Sequence, residues 1–175
     1  MNKTQASIRK KKIVQKILKL RKSLFPKLDS NDLWDRQTEA GFTTIPRTLS
    51  MIMNMMDIVC KNKPVSKTYF TLWCRACDQM LVSIKNESEF AHESGFNGQR
   101  AIITWRERML SLEELGFIQV KSGVTGKYGY IVLLDPHKVI EKIYSQYHSV
   151  LETHYAIYTE RCIFIGKELE TGDEE

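Results

Sequence analysis

The chain has 175 residues, 42% of them hydrophobic and 27% charged, which suits one globular domain with appendages and argues against a largely disordered chain. No apolar run approaches the roughly 20 residues that cross a bilayer, and no apolar segment leads to a small-residue cleavage site near the N-terminus, so the expectation is a cytoplasmic protein. The formal net charge of +5 resembles a nucleic-acid signature until it is divided along the chain: residues 1–22 hold nine Lys or Arg and no acid, leaving 17 basic against 21 acidic side chains elsewhere.

That basic arm places Ile13, Ile17, Leu20 and Leu24 at steps of four, three and four, with Val14 and Leu18 beside them. This is the apolar stripe of an amphipathic helix, ended by Phe25-Pro26. The arm is expected to pack by its stripe and to contact phosphates through Arg9, Lys10, Lys11 and Lys12, with no membrane partner. An amphipathic helix lying on anionic lipid is the alternative. "SNDLWDRQTEAG" predicts a short helix capped by Ser30 and stopped at Gly41.

After Pro46, the apolar residues Leu49, Ile52, Met53, Met56, Val59 and Cys60 share one side of a core-facing helix. Ser66 is expected to cap the next helix, which places Phe70, Trp73, Cys74, Cys77 and Leu81 on one face and runs toward a small strand in "MLVSI". Asn86, with Glu89 three positions on, forms a reciprocal capping pattern and starts a helix that buries Phe90 and Ala91. "SGFNG" turns the chain, since Gly95 and Gly98 admit backbone angles other residues resist. Asn97 is the expected cap of a longer helix with Ile102, Trp105, Met109, Leu112 and Leu115 inward, stopped by Gly116.

"FIQVKSG" and "KYGYIVLLD", joined by "VTGK", predict a hairpin. Asp135-Pro136 starts a further helix with Val139, Ile140, Ile143 and Tyr144. A last helix carries Leu151, Tyr155, Tyr158, Cys162 and Ile165 at steps of four, three, four and three, a two-heptad seam. The seam is expected to join two copies in a homodimer, although the same spacing also suits packing within one chain. The final "KELETGDEE" carries five carboxylates and reads as a solvated tail. The expected division is an arm over 1–45, a central domain over 46–135, C-terminal helices over 136–167 and an acidic tail over 168–175.

The order of helix, small strand, helix, turn, helix and hairpin from Ser66 to Asp135 resembles the bacterial winged helix-turn-helix DNA-binding family. "LEELGFI" followed by a Gly-containing link is similar to the end of that family's recognition helix and its wing. The resemblance covers about 70 residues and implies a mainly helical fold with a small β-hairpin wing. It further implies base readers at Gln99, Arg100, Ile103 and Thr104, with Arg106 or Arg108, and wing contacts from Lys121, Lys127 and Tyr128. Arginine can donate twice to guanine, glutamine can pair with adenine, and lysine on a wing adds charge without sequence information. Against this, residues 64–135 hold eight basic and eight acidic side chains, so Arg100, Arg106 and Arg108 could simply solubilise a helix.

Cys74-Arg-Ala-Cys77 has the spacing of half a zinc or redox site, but no second pair accompanies it and His92, His137, His148 and His154 are scattered. Cys60, Cys74, Cys77 and Cys162 are therefore expected as reduced thiols, with Cys74 and Cys77 in the core, and no metal, cofactor or small-molecule ligand. No phosphate loop, HExxH or nucleophile elbow is present. The expectation is a non-enzymatic, sequence-specific binder of double-stranded DNA, either a transcription regulator or a replication or partition factor of a plasmid or other mobile element. The alternative is a winged-helix protein-protein interaction module.

Overall fold

The computed structural model describes residues 3–77, 79–124 and 126–169, without the side chains of residues 3–7, 9 and 10. The chain divides into two compact units, Met1–Phe42 and Thr43–Glu175.

In the first unit α1 spans Lys3–Leu24. It begins well before the Ile13 stripe because the preceding segment is made largely of good helix formers. Packing of the stripe is not what the structure has: Ile13, Ile17, Leu20 and Leu24 are between 48% and 62% exposed. The helix expected over "SNDLWDRQTEAG" is a single 3-10 turn, Ser30–Asp32, capped by Asp29 instead of Ser30. Asp29 Oδ1 accepts from the amide of Asn31 at 2.9 Å, and Asp35 Oδ1 accepts from that of Gln37 at 2.9 Å. Such local side-chain bonds turn the chain in competition with a helix. Trp34 meets Phe42 edge-on at 5.9 Å, with the Arg36 guanidinium 5.7 Å over the Phe42 ring.

The second unit runs α2 (Leu49–Val59), α3 (Ser66–Arg75), β1 (Leu81–Ser83), α4 (Glu87–Glu93), α5 (Ala101–Glu114), β2 (Ile118–Gly123), β3 (Gly126–Leu133), α6 (Pro136–Gln146) and α7 (His148–Ile165). It is mainly helical with one small antiparallel sheet of order β1-β3-β2. β1 pairs through Val82 with Ile131, and β2 pairs through Ile118 with Leu133. The alternation of strand side chains sends Ile131 and Leu133 inward and leaves Tyr130 and Val132 exposed. Near the hairpin tip the two strands approach so closely that a Cβ on Gly129 would lie 2.4 Å from the Cα of Gly123. Only glycine fits there, and the register shifts at this point between Lys121 and Gly123.

Trp105 is 0% exposed and sits among aromatic rings, with Phe90 at 6.3 Å and Tyr128 edge-on at 5.6 Å. Met109 and Leu112 of α5, Leu49, Ile52, Met55 and Met56 of α2, and Tyr69 and Leu72 of α3 complete the interior. Met55 is buried and Met53 only half-buried, a small rotation of α2 from its expected face.

The buried side of α3 departs further from expectation. Tyr69, Leu72 and Trp73 face inward, while Phe70 is 43% exposed and Cys74 and Cys77 are exposed. The core reading of the two thiols is thus corrected. The helix ends at Arg75 and Ala76 turns extended, so Cys77 leaves the helical face altogether, and Leu81 points outward from β1. The cap of α3 comes from α2 and not from Ser66. Asp57 Oδ1 accepts from the amides of Val65 and Ser66 at 2.7 and 2.9 Å, and Asp57 Oδ2 accepts from Ser66 Oγ at 2.6 Å.

α6 starts as expected, with Asp135 Oδ1 accepting from the amide of His137 at 2.9 Å and Pro136 in the first turn. α6 and α7 share the core of the preceding elements, so residues 46–135 and 136–167 are one packed body. The expected dimer seam is covered within the chain: Leu151, Tyr158 and Cys162 are 0% exposed. Tyr155 stacks on Tyr144 at 3.7 Å with the rings 4° apart, and Ile165 is half-buried. α7 packs on α2 and α6 through this side. Of the acidic tail, residues 170–175 lie outside the described residues.

Candidate nucleic-acid interface

The chemistry of interest gathers around α4, the turn after it, α5 and the β2-β3 hairpin. Asn86 caps α4 as expected: its Oδ1 accepts from the amide of Ser88 at 3.0 Å, and its Nδ2 donates to Glu89 Oε1 at 3.1 Å. Ser94, 2% exposed, donates through Oγ to the Phe90 carbonyl at 2.7 Å. The backbone then reverses at Gly95 and Gly98, with φ of +84° and +83°, in the left-handed region that glycine enters without a side-chain clash. Asn97 does not cap α5. Its Oδ1 meets His92 Nδ1 at 3.0 Å, and the residue at the cap position is Arg100, with no side-chain capping bond.

Gln99 and Arg100 are exposed, Ile103 is half-exposed, and Thr104 is half-buried. Gln99 and Arg100 lie in the turn just before α5, with Arg100 at its cap position, and Ile103 and Thr104 lie in its first turn. Arg106 also points outward but is held by α4: its Nε donates to Glu87 Oε2 at 2.7 Å, and Nη2 lies 2.6 Å from the same oxygen. Arg108 does not face outward. Its side chain is 11% exposed, its guanidinium lies 5.8 Å over the Phe96 ring, and Nη1 stands 3.5 Å from Glu107 Oε2. It is two residues from Arg106, and a step of two on a helix turns through about 200°, so the two arginines cannot share an exposed face.

On the hairpin, Lys121 is exposed on β2. Lys127 belongs to β3, not to the link, and its Nζ donates to Glu113 Oε2 at 2.6 Å. That bond raises the lysine pKa further. Tyr128, expected as a wing contact, is instead 5% exposed and packs edge-on against Trp105. Its hydroxyl donates to the Arg106 carbonyl at 3.4 Å, and burial pushes its pKa up. On the arm, Lys11 and Lys12 are exposed, and the side chains of Arg9 and Lys10 lie outside the described residues.

A groove of about 520 Å³ runs between α5 and β3, with Ile103 and Leu110 on one side, Lys127 and Tyr128 on the other, and the Glu87–Arg106 pair at its end. Its charges largely cancel: Arg106 meets Glu87, Lys127 meets Glu113, and Lys63 Nζ lies 3.8 Å from Glu107 Oε2. Glu87, Glu107 and Leu110 are the lining residues that sequence reasoning missed, as it missed Glu113 as the partner of Lys127. No local pattern signals ion pairs 19 and 14 residues apart. Arg100 and Lys121 have no ion pair among the described residues.

Among the described residues no group of three or more His, Cys, Asp or Glu is placed to hold a metal ion, and no helix is long and apolar enough to cross a membrane. Comparison with protein-family models, with curated proteins and with solved structures finds no match to this chain.

Proposed function

We propose that residues 66–135 form a winged helix-turn-helix module that binds double-stranded DNA in a sequence-specific way, with α5 as the recognition helix and the β2-β3 hairpin as the wing. The observation that carries the reading is the exposure of Gln99 and Arg100 at the start of α5, next to Ile103 and Thr104. A helix in the major groove reads bases from its N-terminal half, and these side chains offer a bidentate donor for guanine, an amide for adenine and a methyl contact for thymine. The order α3-β1-α4-α5-β2-β3 and the strand order β1-β3-β2 agree with such a module.

Arg108 and Tyr128 take no part in this scheme, since both are buried. Arg106 and Lys127 enter it conditionally. Their side chains are 55% and 51% exposed, and exposed ion pairs contribute about 0–1 kcal/mol, so a phosphate can displace either carboxylate. Lys11 and Lys12 supply further phosphate contacts from the arm. The role served is regulation of transcription, or replication or partition of a plasmid or other mobile element, all of which need site-specific duplex binding.

The test is binding to duplexes selected from a random pool, followed across salt concentration. Arg100→Ala should cost about 1–3 kcal/mol on the selected site and relax base preference, whereas Lys121→Ala should weaken all duplexes alike and reduce the salt slope by about 1. An unchanged duplex mobility at low salt refutes the proposal. A second reading, a protein-interaction module, draws on the groove, where Ile103 and Leu110 are 50% and 44% exposed beside carboxylates that repel phosphate. Loss of a protein partner, with no effect on DNA, in Leu110→Asp would favour it.

A further inference from the structure

We propose that α1 rests on an anionic membrane surface, with its apolar side in the headgroup boundary and its lysines on the headgroup phosphates. At about 100° per residue, Ile13, Val14, Ile17, Leu18, Leu20 and Leu24 fall within an arc of about 160°. Phe25 falls on the same arc, because its amide still donates to the Arg21 carbonyl at 2.8 Å. All seven are exposed, and the unit offers them no core: none of residues 11–42 is buried, and only Arg21 and Leu33 are half-buried. The expected cover, packing within the chain, is lacking among the described residues.

Charge selects what covers the arc. Residues 1–22 carry nine Lys or Arg and no acid. Lys11 and Lys22 lie within about 40° of one border of the arc, and Lys16 within about 40° of the other, so cations line both edges. A second α1 is a poor partner, since pairing in either direction sets these lysines beside one another with no carboxylate between them. Duplex phosphates can engage the lysines but offer nothing that buries the arc. An anionic bilayer does both: an interfacial helix sinks its apolar side about 5–10 Å into the headgroup boundary, and flanking lysines reach up to the phosphates.

Arg21 separates a bilayer from the remaining anionic partner, an acidic groove on another protein. It falls near the middle of the arc, with Ile17 and Phe25 four residues to either side. An enclosing groove would strip its guanidinium of water. On a bilayer the stem lies along its apolar neighbours while the guanidinium reaches a headgroup. The helix lies on the membrane and does not span it, as no helix among the described residues is long and apolar enough to cross.

The proposal does not rest on DNA binding, because the proposed base readers lie outside α1. Its test is flotation of the full chain with vesicles of phosphatidylglycerol and of phosphatidylcholine across salt concentration. The chain should float with the first and not with the second. Lys11→Ala and Lys22→Ala should each weaken binding about fivefold at low salt. Ile17→Gln with Leu20→Gln keeps the charge and two helix-compatible residues; it should weaken binding by about tenfold or more, with melting temperature unchanged because both side chains are exposed. A chain that ignores phosphatidylglycerol at low salt overturns the proposal and leaves an acidic protein as the partner. Undiminished binding by the double glutamine variant overturns it in favour of adsorption by charge alone. Equal binding to both lipids overturns the selection by charge.

Discussion

Replacing Asp57 with alanine tests the link between α2 and the start of α3. One carboxylate accepts two backbone amides, from Val65 at 2.7 Å and Ser66 at 2.9 Å, and the Ser66 hydroxyl at 2.6 Å. Val65 is 0% exposed, so water has little access to its amide once the carboxylate is gone. A buried donor left unmet costs about 1–3 kcal/mol, and losing a helix cap costs about 1 kcal/mol. The anionic group also lies at the positive end of the α3 dipole. Asp57→Ala should therefore destabilise the protein by about 2–4 kcal/mol in urea unfolding, and Asp57→Asn, which keeps one acceptor, by roughly half that. Hydrogen exchange at the amides of Val65 and Ser66 should accelerate with it. Asp35→Ala is the control, because its bond to the Gln37 amide lies in an exposed turn, and it should change stability by less than about 0.5 kcal/mol. An Asp57→Ala variant as stable as the control, or one with unchanged exchange at those amides, refutes the assignment of the cap.

Gly129→Ala should open the hairpin tip, since its Cβ would stand 2.4 Å from the Gly123 backbone; a loss of about 2–4 kcal/mol in thermal unfolding is expected, and a neutral result would contradict the close approach. Thiol labelling of the native protein should modify Cys77 first, then Cys74, whose thiol pKa is pushed up by burial and by Glu93. Cys162, buried and likewise raised, should react only on unfolding, so rapid native labelling there would contradict its packing. Burial, with Lys167 adding to it, holds the His137 imidazole below its ordinary value of 6.5, while Asp135 opposes them. Protonation then favours the unfolded chain: the stabilisation is present above about pH 6.5 and is lost as pH falls through that value toward the folded one. Melting curves from pH 8 to pH 5 should show this component in the wild type and lack it in His137→Gln.

Element existence was largely legible because it rests on local signals. The periodicity of Leu49, Ile52 and Met56, the Asn86 cap, the Gly95 and Gly98 turn, the stop at Gly116 and the Asp135-Pro136 start all act within a few residues. The misreadings share a cause in longer range. Ser66 looked like a cap because its neighbours fit, but Asp57, nine residues back, supplies the acceptor. Cys74 and Cys77 fit an apolar stripe only if α3 continues, and the extended backbone at Ala76 ends it. The α7 seam was visible as a spacing, and a spacing does not say which chain supplies the opposite surface; α2 and α6 of the same chain do.

The candidate site divides along the same line. The exposure of Gln99, Arg100 and Ile103 was legible because they lie at and just before a helix start, where a face is a matter of counting. Arg108 was misread although Trp105 and Met109 were rightly expected inside: it follows Trp105 by three residues and precedes Met109, and that spacing sets it beside the core. Tyr128 was misread because the strand register that turns it toward Trp105 depends on the Gly123–Gly129 approach, a contact between two residues without side chains. The near-neutral charge of this region takes a physical form in the structure, with Glu87, Glu93, Glu107 and Glu113 each placed against a lysine or arginine that a phosphate would otherwise attract. Such pairs lower non-specific attraction to any polyanion, since fewer counterions are released on binding, while Arg100 stays exposed. In the proposed DNA-binding role, a module built this way would depend more on base contacts than on bulk charge. The Arg100→Ala substitution is therefore a sharper probe of the proposed function than removal of any single lysine.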